Sequence, residues 1–229
     1  MIRKSKGKEL FIVIVEIAEI MTEEFIQLSA VLNVLAGALL LIYWYAFALF
    51  MPYKELSTTL ALLVEHKNWV WINSIGVLGA LLGLLGQAGI ITVQIDHTNW
   101  VGIAGYFVAS IGTVLLIGTM LWETVLWPIL VKHDRGLLDF NGPLYRSKTF
   151  VPFFLMSGLI YSLGYILVGA GIMHTDILLW MGGLLLAVGA PTFGLGSMFG
   201  KYQVYPRSFG VTLMSAGLIW LGIAMFGLV

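Results

Sequence analysis

Hydrophobic and polar positions alternate along this chain in long blocks rather than residue by residue. Six stretches free of Asp, Glu, Lys and Arg run over Phe25–Tyr53, Asn68–Ile95, His97–Trp122, Thr149–Thr175, Ile177–Gly200 and Ser208–Val229. About 20 apolar residues carry an α-helix across the hydrocarbon of a bilayer, so each block suffices for one span. A membrane barrel would instead alternate apolar and polar residues over strands of about ten. Backbone polar groups must be satisfied within the segment in lipid, which leaves helices as the reading. The pattern therefore predicts an all-α polytopic transmembrane bundle with helices near 30–51, 70–94, 100–128, 151–173, 177–199 and 209–228.

Composition agrees. Of 229 residues 59% are hydrophobic and only 10% charged, against about 25% charged in an average soluble domain; mean hydropathy is +0.96. Net charge is zero, so nothing in the electrostatics points to nucleic acid. The expected partner is the lipid bilayer. The absence of cysteine excludes disulfides, thiolate metal sites and iron–sulfur clusters.

The cations are distributed on one side. Lys54 and Lys67 lie in the 52–69 loop, Lys132, Arg135, Arg146 and Lys148 in the 132–148 loop, and Lys201 and Arg207 in the 201–207 loop. The 95–99 and 174–176 turns and the C-terminus carry none. By the positive-inside rule the three longer loops face the cytoplasm and the C-terminus lies outside, in what reads as a prokaryotic plasma membrane. Trp69, Trp71, Trp100, Trp122, Trp127 and Trp180 at the span ends suit the interfacial belts.

The first 29 residues form a separate unit in this reading, with 30–229 as the six-helix bundle. Arg3, Lys4, Lys6 and Lys8 favour the cytoplasm, whereas six spans put the N-terminus outside. Over residues 9–28, Glu9, Glu16, Glu19 and Glu23 fall on one helical stripe opposite Leu10, Phe11, Ile12, Val15, Ile20 and Phe25. Three readings are open: a seventh span with its acidic face turned into the bundle, an amphipathic helix on the membrane surface, or translation starting at Met21. Glu16 breaks the apolar run and no small-residue cleavage site follows, against a signal peptide.

Twenty-seven glycines, many with small-xxx-small spacing such as Gly79/Gly83 and Gly196/Gly200, predict close helix packing, because lipid gives apolar helices little reason to associate otherwise. The same faces are candidates for contact with other membrane subunits or a second copy. Ala88-Gly89-Ile90 ahead of His97-Thr98-Asn99, and Ala170-Gly171-Ile172 ahead of His174-Thr175-Asp176, suggest a faint repeat of parallel helical hairpins.

Candidate chemistry is sparse. His66 and His133 fall on the loop side and His97 and His174 on the turn side, as bis-imidazole ligation of two haems b requires. In number and alternation this resembles the six-helix dihaem b-type cytochromes, and the resemblance implies a haem b electron carrier with these four ligands. The family's ligands lie within the spans, whereas these sit in polar runs such as Glu65-His66-Lys67. Asp96, His97, His174 and Asp176 suit a metal site if the two short turns meet, and Asn99 and Asp176 equally suit helix N-caps. Glu123 is the one ionisable residue near the interior of the six main spans. It is expected at the cytoplasmic interface, paired with Lys132 or Arg135, or else buried as a proton-handling group. Asn73 and Gln87 are expected as interhelical hydrogen-bond partners. With Glu16 and Glu19, these three form the available polar path for a solute. No span carries Lys, so a retinal Schiff base is excluded, and no Walker A, HExxH or GxSxG motif occurs. The expected role is that of a non-catalytic accessory or scaffold subunit or a stand-alone membrane protein without a bound cofactor, with small-solute transport and haem-based electron transfer as alternatives.

Overall fold

A computed structural model describes residues 3–51, 60–95, 97, 100–139, 142–175, 177–178, 180 and 181–228; the side chains of 3–19, 200 and 201 lie outside the description. Among the described residues the chain is helical and forms no β-strand. The main helices are α1 (Arg3–Phe50), α3 (Trp69–Gln94), α4 (Trp100–Val125), α6 (Phe150–Thr175), α7 (Trp180–Gly194) and α8 (Val204–Phe226). Two short helices, α2 (Ala61–Val64) and α5 (Trp127–His133), and 3₁₀ turns over Arg135–Leu138 and Gly196–Tyr202 lie between them.

The six main helices close into a ring in the order α1, α3, α4, α6, α7, α8, with α8 returning to α1. Each neighbour runs antiparallel to the last. Along α1 and α3, for example, Gly79 meets Leu40 while Gly86 meets Asn33. One end of the ring carries the longer loops (the loop end) and the other the two short turns (the turn end). The seam between α3 and α4 is the least closely packed of the six.

Five helices are long and apolar enough to cross a membrane: Ile20–Phe50, Trp69–Gln94, Trp100–His133, Phe150–Thr175 and Val204–Phe226. The sixth expected span is shorter. It ends at Gly194 rather than 199, three residues past Pro191, where Gly194, Gly196 and Ser197 are poor helix formers, and a 3₁₀ turn continues the chain. Likewise the predicted 100–128 helix stops at Val125, and Pro128 sits in the first turn of α5. The N-terminal residues are not set off by a turn: α1 is one helix of 48 residues, about 72 Å long at 1.5 Å per residue, more than twice the roughly 30 Å of hydrocarbon. The expected positions of Glu16 and Glu19 fall on side chains outside the description.

Glycine makes the seams. A Cβ at Gly164 would strike the backbone of Ala109, closing α6 on α4, and one at Gly105 would come within 2.6 Å of the Val168 nitrogen. Such approach gathers dispersion along whole helix faces, which is what holds helices together in lipid. The small-residue reading of the sequence is thus seen within the bundle itself. The outer surface carries Leu49, Phe107, Ile129, Leu163 and Ile223, each more than half exposed, as a lipid-facing surface does.

Candidate binding chamber at the loop end

Inside the ring at the loop end lies a cavity of about 220 Å3. Its walls come from α1 (Tyr43, Trp44, Phe47), the α2 region (Leu60, Leu63), α3 (Trp69, Asn73), α4 and α5 (Glu123, Trp127), the following loop and α6 (Tyr145, Phe150, Phe154), and α8 with the turn before it (Gln203, Arg207). The aromatic wall is a packed assembly. Trp44 stacks on Phe47 at 5.8 Å, Phe47 meets Trp69 edge-on at 6.0 Å, and Trp69 stacks on Trp127 at 6.0 Å. Trp69 Nε1 donates to the Glu123 carbonyl oxygen at 3.1 Å, fastening the start of α3 to the end of α4.

One acidic and one basic side chain share this largely apolar space, Glu123 and Arg207. Arg207, near the start of α8, turns inward. Its guanidinium carbon lies 4.7 Å from the Trp44 ring centre and 4.9 Å from that of Phe193, an arrangement in which the ring faces attract the cation. Trp44 is held in place by donating to Ser208 Oγ at 2.6 Å. Gly196 supplies the room, since a Cβ there would run into Arg207 Cγ. Arg207 Nε is buried without a hydrogen-bond partner.

Glu123 is half-buried and lies near enough to Arg207 for the two charges to act on each other. They form no direct ion pair, however: among the described residues the pair within 4.0 Å is Glu65–Arg135. Burial pushes the Tyr145 phenol above its ordinary value; the Glu123 charge adds to this and Arg207 opposes it. Tyr145 thus stays neutral as a hydrogen-bonding group.

The sequence expected Glu123 to pair with Lys132 or Arg135. Lys132 and Arg135 lie nine and twelve residues beyond Glu123, too far along a helix to reach it, and Arg135 makes a two-pronged pair with Glu65, its Nε donating to Oε1 at 2.8 Å and its Nη2 to Oε2. That pair holds the Arg135 guanidinium proton even more firmly than usual. Arg207, counted among the loop cations, is a helix residue facing the interior. Nothing in its sequence neighbourhood marks it, since a basic residue at the foot of a span reads as an orientation signal.

The amides also differ from expectation. Asn73 lines the chamber but donates to Trp69 O of its own helix at 2.8 Å. Gln87, 1% exposed, engages neither of its amide atoms; it borders a void of about 10 Å3 near the turn end, about the space of one water. The interhelical amide bond comes from Asn33, whose Nδ2 donates to Gly86 O at 2.9 Å.

Of the histidines, His97, His133 and His174 are exposed, and His66 accepts from the Asn68 amide through Nδ1 at 3.3 Å. None of the four lines the chamber or the two smaller cavities. At the turn end the last residues of α3 and α6 meet, Gln94 Nε2 donating to Thr175 Oγ1 at 3.1 Å. Asp96, Asn99 and Asp176 lie outside the described residues, and among those described no three His, Asp or Glu side chains gather to hold a metal.

The chain matches no known family model, no curated protein and no solved structure. The apolar helices indicate a membrane protein, and any finer function rests on the chamber.

Proposed function

We propose that this protein is a non-catalytic polytopic membrane protein, stand-alone or an accessory subunit, whose role is to hold a small solute in the loop-end chamber. The observation that supports this is the placing of Glu123 and Arg207 in one cavity without a direct bond between them. An unpaired charge in an apolar setting costs free energy that sequence drift would remove unless a bound group offset it. A chamber of aromatic walls with a few convergent polar groups is the usual form of a small-molecule site. The reading places the loop end in the cytoplasm of a prokaryotic cell, in line with the one-sided cations.

Tryptophan fluorescence is the direct test, since Trp44, Trp69 and Trp127 line the cavity. Purified protein titrated with small charged and zwitterionic solutes should show a saturable change that Arg207→Met abolishes. A flat response across the panel would remove the proposal. Orientation is tested separately on this cysteine-free chain: Lys148→Cys should resist an impermeant maleimide in intact cells while His97→Cys reacts, and the reverse pattern inverts the topology.

Transport of the same solute is a second reading, favoured by the unpartnered Gln87 amide toward the opposite end. Between the two, the interior is filled by Leu40, Tyr161, Met214, Leu218 and neighbours around a void of about 20 Å3, so passage requires the helices to move. Counterflow in proteoliposomes decides it, and absence of uptake leaves binding alone.

A further inference from the structure

Resting on the solute-binding reading, we propose that the chamber selects a small zwitterion, with its anionic group at Arg207 and its ammonium at Glu123. The two residues are of opposite sign when ionised. A simple anion gains the attraction of Arg207 and meets the repulsion of Glu123, and a simple amine meets the converse. Only a molecule carrying both charges satisfies both residues at once, and the gap between them, wider than an ion pair, is where such a molecule fits.

The surroundings agree with this assignment. The unsatisfied Arg207 Nε is a donor awaiting an oxygen acid, which guanidinium binds well. Trp69 and Trp127 line the same cavity as Glu123, and aromatic rings are favourable neighbours for an ammonium. Asn73 has committed its amide hydrogen to Trp69, leaving its carbonyl oxygen to accept from an ammonium. At about 220 Å3 the space is below the roughly 300–1,000 Å3 of drug-sized sites. It therefore suits a free amino-acid-sized solute or the phosphoethanolamine head of a lipid, which share the same charge pair.

The test uses the full chain in nanodiscs of phosphatidylglycerol. Tryptophan fluorescence is titrated with three zwitterions (leucine, phenylalanine and phosphoethanolamine) and with the singly charged analogues 4-methylpentanoate and 3-methylbutylamine. At least one zwitterion should bind about tenfold or more tightly than either analogue. Glu123→Gln should erase leucine's advantage over 4-methylpentanoate while leaving 4-methylpentanoate bound, and Arg207→Gln should do the converse with 3-methylbutylamine. Should either variant fail to fold, the wild-type ratios alone decide. Replacing part of the phosphatidylglycerol with phosphatidylethanolamine separates the two sources: weakened leucine binding identifies the lipid head, and unchanged binding a free solute. An analogue that binds as tightly as every zwitterion overturns the zwitterion assignment and leaves solute binding standing. No saturable response to any of the five probes overturns both.

Discussion

The two ends of this bundle apply the same lipid-adapted packing to different purposes. Toward the turn end, glycines set backbone against backbone: Gly86 brings α3 within 2.9 Å of the Asn33 nitrogen for a would-be Cβ, and Gly183 does the same at 2.7 Å from Gly169 O. Polar groups there are amides and hydroxyls, and the voids are water-sized. Toward the loop end, Gly76 meets the Met120 and Tyr43 side chains and Gly118 meets nothing within 4 Å; tryptophan and phenylalanine take over as spacers around a cavity holding two charges. The seams around α7 are exceptions, staying close at Gly210 against the Phe193 backbone and at Gly158 against that of Gly194. Small residues close a bundle and large flat ones hold it open, so the place where aromatics replace glycine is where a ligand has room.

The sharpest way to break this contrast is Gly164→Leu. With the Ala109 backbone as its neighbour there is nothing flexible to yield, so α4 and α6 should separate at a cost above about 3 kcal/mol, read as loss of monodisperse protein in detergent. Gly118→Leu, on an exposed face, should stay within about 0.5 kcal/mol; an equal loss in both would refute the glycine seam. Next in size, Arg207→Met strands the Glu123 charge and should destabilise by about 2 kcal/mol, while Arg207→Met with Glu123→Gln should recover part of it; strict additivity in thermal unfolding would show the charges do not interact. At the other end the sign reverses. Gln87→Leu removes a buried amide with no partner and should be neutral or stabilising by about 1 kcal/mol, and a clear loss would mean that Gln87 is bonded through water. Smallest is Glu65→Gln, which removes an ion pair on the exposed surface; the change in unfolding temperature should be barely measurable and vanish in high salt.

The spans were readable because lipid imposes a one-dimensional rule: both ends of α3, α6 and α8 and the C-terminal end of α1 agree with the charge-free windows to within a few residues, while α1 begins far upstream of its window. The chamber was less so. Glu123 stood out as a lone carboxylate, but the nearest cations along the chain were the wrong partners, since Lys132 lies too far along the helix and Arg135 is taken up by Glu65. Arg207 is placed by three contacts distant in sequence: the faces of Trp44 and Phe193 and the gap at Gly196. Asn33 sits in an apolar run where any face is equally open to lipid or protein, and its partner is a backbone carbonyl, which no side-chain pattern announces.

The ring has one loose joint, α3 against α4. There the two helices share the brief 95–99 connection at one end and the Trp69–Glu123 bond at the other. Each is fastened to its other neighbour by glycine, α3 to α1 at Gly86 and α4 to α6 at Gly105. Any widening of the cavity that keeps those fastenings must therefore part α3 from α4, two half-rings opening like a clasp.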